Sequence, residues 1–323
     1  MSSKGKGKIK MTKKEESEEE SDYEEEVEVT EDSDEEHVPA AAPVPAPSKA
    51  LASRKKSEAD AASNPNYSLE IKTVQSSVFK ILIEALKEIL TDTVVEITEA
   101  GIKIVALDNA HVILIHLRLD ADKFEHYSCD GPRKIGINML NFYKIIKTIN
   151  SNDTLTLFMK KNDNNHLGIE IENREKNTKT TYKLNLLDLD NTKLEIPPVF
   201  DFSVITLPSV DFQKICRDMH NLAEFAEIKT INRELILTCK GDFCSQETIM
   251  RDSDNVSVEH EKNEQEIVQG VFNLKFLCMF TKATNLSKLV ELYLKNDYPL
   301  IVRYSVASMG EIKMCLAPQT AEK

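Results

Sequence analysis

Basic residues recur in pairs along four stretches whose apolar residues fall at helical spacing: Lys80 with Lys87, Lys144 with Lys147, Lys214 with Arg217, and Lys275 with Lys282. Separations of three or seven residues put both members of a pair on one side of a helix, opposite its apolar stripe. Clustered ammonium groups attract phosphate, and no interleaved Asn/Gln or aromatic set is present to read bases. A solvated helix face would explain any one pair. Four pairs at corresponding places stand out in a chain with 41 Lys+Arg against 54 Asp+Glu and a net charge of -13, although Glu84, Glu88 and Asp218 interrupt the faces.

Reactive chemistry is not visible elsewhere. His111 could form an acid-base pair with Asp108, but no nucleophile or metal-binding cluster accompanies them, so a packed histidine is expected. Asp188 and Asp190 are read as solvated carboxylates rather than a cation site. The six cysteines (Cys129, Cys216, Cys239, Cys244, Cys278 and Cys315) lack the close spacing of a zinc site and the density of a disulfide scaffold. No GxxxxGK[ST] phosphate loop occurs. The expectation is a protein that is not an enzyme, with no cofactor and no metal. The chain opens without a secretory-type apolar segment and contains no run of 18 apolar residues, so a soluble, intracellular protein without a membrane partner is expected.

The basic pairs need helices, and the helices need something to pack on. A strand (69–74) leads into a helix (76–90, with Ser76 as its cap) and three alternating strands (93–98, 101–107, 112–119). The unit returns as 133–138, helix 139–150, then 154–160, 166–173 and 178–187. It returns a third time as 201–207, helix 209–223, then 226–231, 234–241 and 245–252. The fourth copy is 266–273, helix 274–287, then 289–296, 299–306 and 310–317. Four strand-helix-three-strand units predict an α+β fold of two similar domains, with helices on one face of mostly antiparallel sheets. The expected divisions are a tail (1–66), a first domain (67–185), a connector (186–199), a second domain (200–319) and a short end (320–323).

The tail carries 10 Lys/Arg and 17 Asp/Glu, opens with KGKGKIK and ends in an Ala/Pro stretch, a composition that cannot bury enough apolar surface to fold. SRKKSE (53–58) is a weak nuclear-import pattern. The connector, LLDLDNTKLEIPP, has the punctuation of a loop yet keeps Leu186, Leu187, Leu189, Leu194 and Ile196, which either lie on its own domains or are offered to another protein.

Several long segments carry a resemblance: LDNAHVILIHLRL (107–119), LLDLDNTKLEIPP (186–198), LPSVDFQKICRDM (207–219), FTKATNLS (280–287) and YPLIVRYSVASMGEIKMCLAP (298–318). From about Ser68 to Pro318 the chain resembles the eukaryotic-type DNA sliding clamps, the proliferating cell nuclear antigen family, as a divergent or viral member. The resemblance implies the DNA-clamp fold, in a homotrimeric ring of six domains with helices lining a central hole for double-stranded DNA and sheets outside. It implies a processivity factor that tethers replication and repair enzymes, acting in the nucleus or at a viral replication site. The alternatives kept open are a subunit of a heterotrimeric checkpoint-type clamp, a viral factor that does not close, and a protein-interaction scaffold without DNA.

By that resemblance Lys80, Lys87, Lys144, Lys147, Lys214, Arg217, Lys275 and Lys282 match channel-lining DNA-binding positions. Thr178, Thr180, Tyr182 and Leu184 would form one subunit edge, pairing with a strand near Thr248 and Met250 of the next copy. Leu107, His111, Leu114, Leu189, Leu194, Ile196, Pro299, Cys315, Ala317 and Pro318 match a pocket for short peptides of DNA polymerase and other clamp-binding proteins. Without a phosphate loop of its own, a closed ring implies a separate clamp loader. Cys315 departs from the family, where an aromatic is common. A lysine that eukaryotic clamps use for regulatory modification aligns with Asn232.

Overall fold

Alternation of apolar and polar residues, with its two-residue period, builds a protein dominated by antiparallel strands. The computed structural model describes residues 64–190, 202–260 and 266–319, all within one compact unit; residues 1–63 of the expected tail lie outside the described residues. The first half contains β1 (Tyr67–Thr73), α1 (Ser76–Ile89), β2 (Asp92–Thr98), β3 (Gly101–Leu107), β4 (Ile113–Asp120), β5 (His126–Cys129), β6 (Arg133–Asn138), α2 (Met139–Ile146), β7 (Asp153–Lys160), β8 (Asp163–Asn173) and β9 (Thr178–Asn185). The second half contains β10 (Ser203–Pro208), α3 (Ser209–His220), β11 (Phe225–Ile231), β12 (Glu234–Lys240), β13 (Ser245–Arg251), β14 (Ser257–His260), β15 (Val268–Asn273), α4 (Leu274–Phe280), β16 (Leu289–Leu294), β17 (Leu300–Val306) and β18 (Gly310–Leu316).

The repeat units read from the sequence are present, with three corrections. Ser76 is not a cap: the residue before α1 makes no side-chain cap, and the Ser76 hydroxyl instead donates to the Asp153 carbonyl at 2.6 Å. The last three helices are shorter than their apolar periodicity suggests, because α2 ends at Ile146, α3 ends at His220, and α4 passes at Thr281 into a tighter helical turn ending at Leu286. The short strands β5 and β14 were not anticipated, being too brief to show a period. Asn138 and Asn273 do cap α2 and α4, accepting from the Asn141 and Lys275 N–H groups at 2.9 Å.

The strands form a five-stranded sheet (β5-β1-β7-β8-β9), a four-stranded sheet (β13-β12-β11-β15) and a nine-stranded sheet (β14-β10-β16-β17-β18-β4-β3-β2-β6) that runs through both halves. The halves meet where β18 pairs with β4 from Leu316↔Ile113 to Gly310↔Leu119. Along this seam Ile113, Ile115, Leu117 and Leu119 face Leu316, Met314, Ile312 and Gly310, and the apolar members are all essentially buried. The alternate residues, Leu114, His116 and Arg118 against Cys315, Lys313 and Glu311, occupy the other face. Burying both apolar rows at about 25 cal/mol per Å² makes the seam a large favourable term that holds the two halves together.

Helices cover the inner face of the sheets. Contacts between α1 and α2, between α1 and the α4 end, and between α3 and α4 place them in one row, α2-α1-α4-α3. Their fourth residues, Phe142, Phe79, Leu277 and Phe212, are all buried in the common core.

Gly310 starts the seam where a methyl group would lie 2.0 Å from the Arg118 carbonyl oxygen. Neither backbone can move without breaking the pairing. Gly310→Ala is expected to lower unfolding stability by roughly 1–3 kcal/mol, measured by denaturant titration; an unchanged midpoint would mean that the seam is looser than described.

Candidate nucleic-acid interface, subunit edges and partner groove

Helix register decides which basic groups reach solvent. Lys144, Lys147, Lys214, Arg217, Lys275 and Lys282 are exposed. They do not all occupy corresponding places: Lys144 and Lys214 are the sixth residues of α2 and α3, and Lys147, Arg217 and Lys282 are ninth from their helix starts. Lys80, Lys87 and Lys275 fall at other positions, so the four pairs are less regular than their spacing suggested. Lys80 is half-buried and its Nζ donates to the Ile149 carbonyl at 2.9 Å. Lys87 pairs with Glu88, and its Nζ lies 4.7 Å from the centre of the Tyr143 ring. The exposed cations therefore come from α2, α3 and the α4 segment, while α1 spends its own lysines within the chain.

Among the described residues each of the three sheets ends in two edge strands, and the edges expected from the sequence to join subunits, β9 and β13, are two of these six. β9 closes the five-stranded sheet, bonded only to β8, and β13 closes the four-stranded sheet, bonded only to β12. The pairings Ile171↔Thr180, Ile169↔Tyr182 and Leu167↔Leu184 put the even-numbered residues of β9 on the core side. Leu237↔Thr248 and Leu235↔Met250 do the same for β13. Tyr182, Leu184 and Met250 are only half-buried while packed against the core, as expected of side chains whose outer neighbour is missing. Thr178, at the β9 start, and Thr180 are exposed. On the opposite face of β9, ion pairs hold the side chains: Lys179 to Glu170 at 2.8 Å and Lys183 to Asp163 at 3.0 Å. Asp163 also bonds His166 Nδ1 at 2.6 Å, and the His166 and Lys183 hydrogen bonds hold its carboxyl at about 2.

The outer face of the seam carries a row of apolar residues, at positions expected from the sequence to receive partner peptides. Leu107 pairs with Leu114, Leu114 with Cys315, and Cys315 with Ile301, so four apolar side chains lie abreast on β3, β4, β18 and β17. His111 and Pro299 are exposed beside them, Ala317 is exposed at the strand end and Pro318 is half-buried. His111 has φ 59 at the tip of the β3–β4 turn. Asp108 builds that turn, accepting from the Val112 and Ile113 N–H groups at 2.8 Å and from Ala110 at 3.2 Å, so it is a turn residue and not the partner of a catalytic histidine. Leu187 ties the start of the connector to the edge of β6 by donating to the Gly136 carbonyl at 2.8 Å, which leaves Leu189 half-buried near Gly136. A methyl at Gly136 would lie 2.3 Å from the Leu187 carbonyl oxygen. Leu194 and Ile196 lie outside the described residues.

Ile301 belongs to this row and was not singled out from the sequence. The period-2 alternation of β17 was the available signal: Leu300 and Val302 point to the core, so Ile301 must point the other way. Beyond it the row reaches Tyr293, whose ring packs edge-on against Phe202, and Phe202 in turn meets Tyr298 at 6.1 Å. Asn232 and Arg233, with φ 50 and 61, form the tight turn between β11 and β12, a geometry that suits asparagine.

A helix row bearing cations, antiparallel sheets behind it and two similar halves joined in one sheet are the features of the DNA-clamp fold. The profile of the proliferating cell nuclear antigen N-terminal domain matches residues 68–193 and that of the C-terminal domain matches 196–319. The chain belongs to the proliferating cell nuclear antigen family, whose members are non-enzymatic processivity factors. It is 38% identical, over 257 residues, to the protein named "Probable DNA polymerase sliding clamp 1" of Paramecium bursaria Chlorella virus 1, covering 78% of this chain and 97% of that protein. That similarity agrees with a divergent viral clamp.

Burial pushes the Cys315 thiol up to about 11, with Lys313 opposing the shift. The thiol is neutral at physiological pH and contributes packing rather than nucleophilicity. Its alkylation by iodoacetamide, followed by peptide mass mapping, is expected to rise with an inflection near 11; an inflection near the free-thiol value of about 8.5 would place Cys315 outside the apolar row.

Proposed function

We propose that three copies of the chain close head to tail around duplex DNA, with β9 of each copy pairing with β13 of the next. The observation that supports this reading is that β9 and β13 are edge strands of different sheets in one chain, each with its core-facing side chains only half-buried or exposed. Unlike edges make a heterologous contact, which closes into a cycle and hides strands that would otherwise invite aggregation. Thr178, Thr180, Tyr182 and Leu184 on one side, with Thr248 and Met250 on the other, form the core-facing half of the joint. Having both halves of the joint in one chain favours self-closure over a heteromeric clamp.

DNA then runs along the helix row. Lys144, Lys147, Lys214, Arg217, Lys275 and Lys282 face the phosphates, while Lys80 and Lys87, on the same row, stay with their partners within the chain. Contacts to phosphate alone carry no sequence information, and flexible lysines form and release them as the ring moves. Retention is topological, so individual contacts stay weak. Opening the ring for DNA falls to a clamp loader.

The outer apolar row takes short peptide segments of a DNA polymerase and of other replication and repair proteins, through Leu107, His111, Leu114, Leu189, Leu194, Ile196, Pro299, Cys315, Ala317 and Pro318, with Ile301 completing the row. A few apolar anchors at such a site supply most of the affinity. The protein acts at a site of viral DNA replication, in the nucleus where the host replicates DNA there.

Reversing Lys144, Lys147, Lys214 and Arg217 to Glu is expected to abolish stimulation of polymerase on long primed templates while the assembly keeps its mass; full stimulation would remove the helix row from the DNA path. Replacing Leu194 and Ile196 by Ala is expected to weaken a fluorescent partner peptide by roughly 2–4 kcal/mol, read by anisotropy titration. Equal affinity would place the peptide elsewhere.

A further inference from the structure

The helix row has a common register. Counting from the helix start, the buried fourth residues Phe142, Phe79, Leu277 and Phe212 align with the exposed ninth residues Lys147, Glu84, Lys282 and Arg217, in the order α2, α1, α4 and α3. Three of the four are cations. The carboxylate sits on α1, an inner helix, between the neighbours that carry Lys147 and Lys282.

Nothing else on α1 offsets this charge. Lys80 is bonded to the Ile149 carbonyl, and Lys87 is paired with Glu88 and lies over Tyr143. Glu84 is also held in place, because the Tyr143 hydroxyl donates to its Oε1 at 3.0 Å from α2. The Tyr143 hydroxyl is pushed upward by partial burial, by that bond, and by the charges of Glu84 and Glu88, so it remains a donor. The result is a fixed negative charge at the one ninth position where the other helices offer a mobile positive one.

We infer that Glu84 is a built-in gap in the basic track, a carboxylate that repels the phosphate backbone once per subunit and keeps the ring from gripping the duplex it slides along. This rests on the helix row facing DNA. A lone Coulomb repulsion in water at about 4 Å corresponds to roughly a fivefold effect on binding, and reversing the charge adds about one counterion-releasing contact per subunit, a change of about -0.9 in the log-log salt slope for each.

The test is direct binding of the full chain to a fluorescent duplex by anisotropy, between roughly 50 and 200 mM salt, with melting temperatures measured alongside. Glu84→Gln keeps an oxygen to accept from Tyr143 and is expected to bind about fivefold tighter with an unchanged melting temperature. Glu84→Lys is expected to bind tighter still and to steepen the salt dependence. The double variant Lys147→Glu with Lys214→Glu is the control, expected to bind more weakly and with a shallower slope. If the control weakens while neither Glu84 variant tightens, the gap is overturned and the DNA-facing row stands; a loss of melting temperature without tighter binding would show that Glu84 merely ties α1 to α2. If the control has no effect, the DNA-facing row itself falls and the gap falls with it.

Discussion

The pairing of β18 with β4 is the interaction on which the rest of the molecule depends. It joins the last strand of the chain to a strand from the first half and merges two similar halves into one nine-stranded sheet. Its inner side completes the core beneath α1 and the α4 segment. Its outer side sets Leu107, Leu114, Cys315 and Ile301 abreast. One ladder therefore fixes the helix row and the outer apolar row together, and holds the β9 and β13 edges on a single body. A flexible hinge in its place would let the edges drift, at the cost of the entropy that ring closure would then have to overcome.

The two functional faces follow from strand and helix periodicity more than from special chemistry. Odd-numbered residues of β18 face outward, with Cys315 in the apolar row, and even-numbered ones face the core, so a slip of one residue would exchange them. On the helices, a buried residue at the fourth position fixes which of the polar residues is presented. The protein needs few rare side chains because its task is to hold and release. Topological retention removes any demand for tight phosphate contacts, and the outer row depends on a handful of apolar anchors.

Much of this was legible in the sequence because the repeats are periodic over their whole length. Alternation located nearly all the strands, the apolar stripe located four helices, and the segments 107–119, 207–219 and 298–318 carried the family. What was not legible depended on three-dimensional partners. Residue spacing could not reveal that Lys80 would be taken by the Ile149 carbonyl, or Lys87 by Glu88 and Tyr143, since those partners lie next to it only after folding or compete with solvent. Ser76 looked like a cap by type but bonds the Asp153 carbonyl across the fold. Ile301 lies in the continuous apolar run 300–302, so alternation gives its direction but only its pairing with Cys315 shows that it joins the outer row.

Closure of identical copies through the unlike edges β9 and β13 is tested most directly by the mass in solution, by light scattering over a range of protein concentrations. A stable species near three times the 36.6 kDa chain is expected. A persistent monomer would contradict self-closure and leave the edges to be filled by different chains.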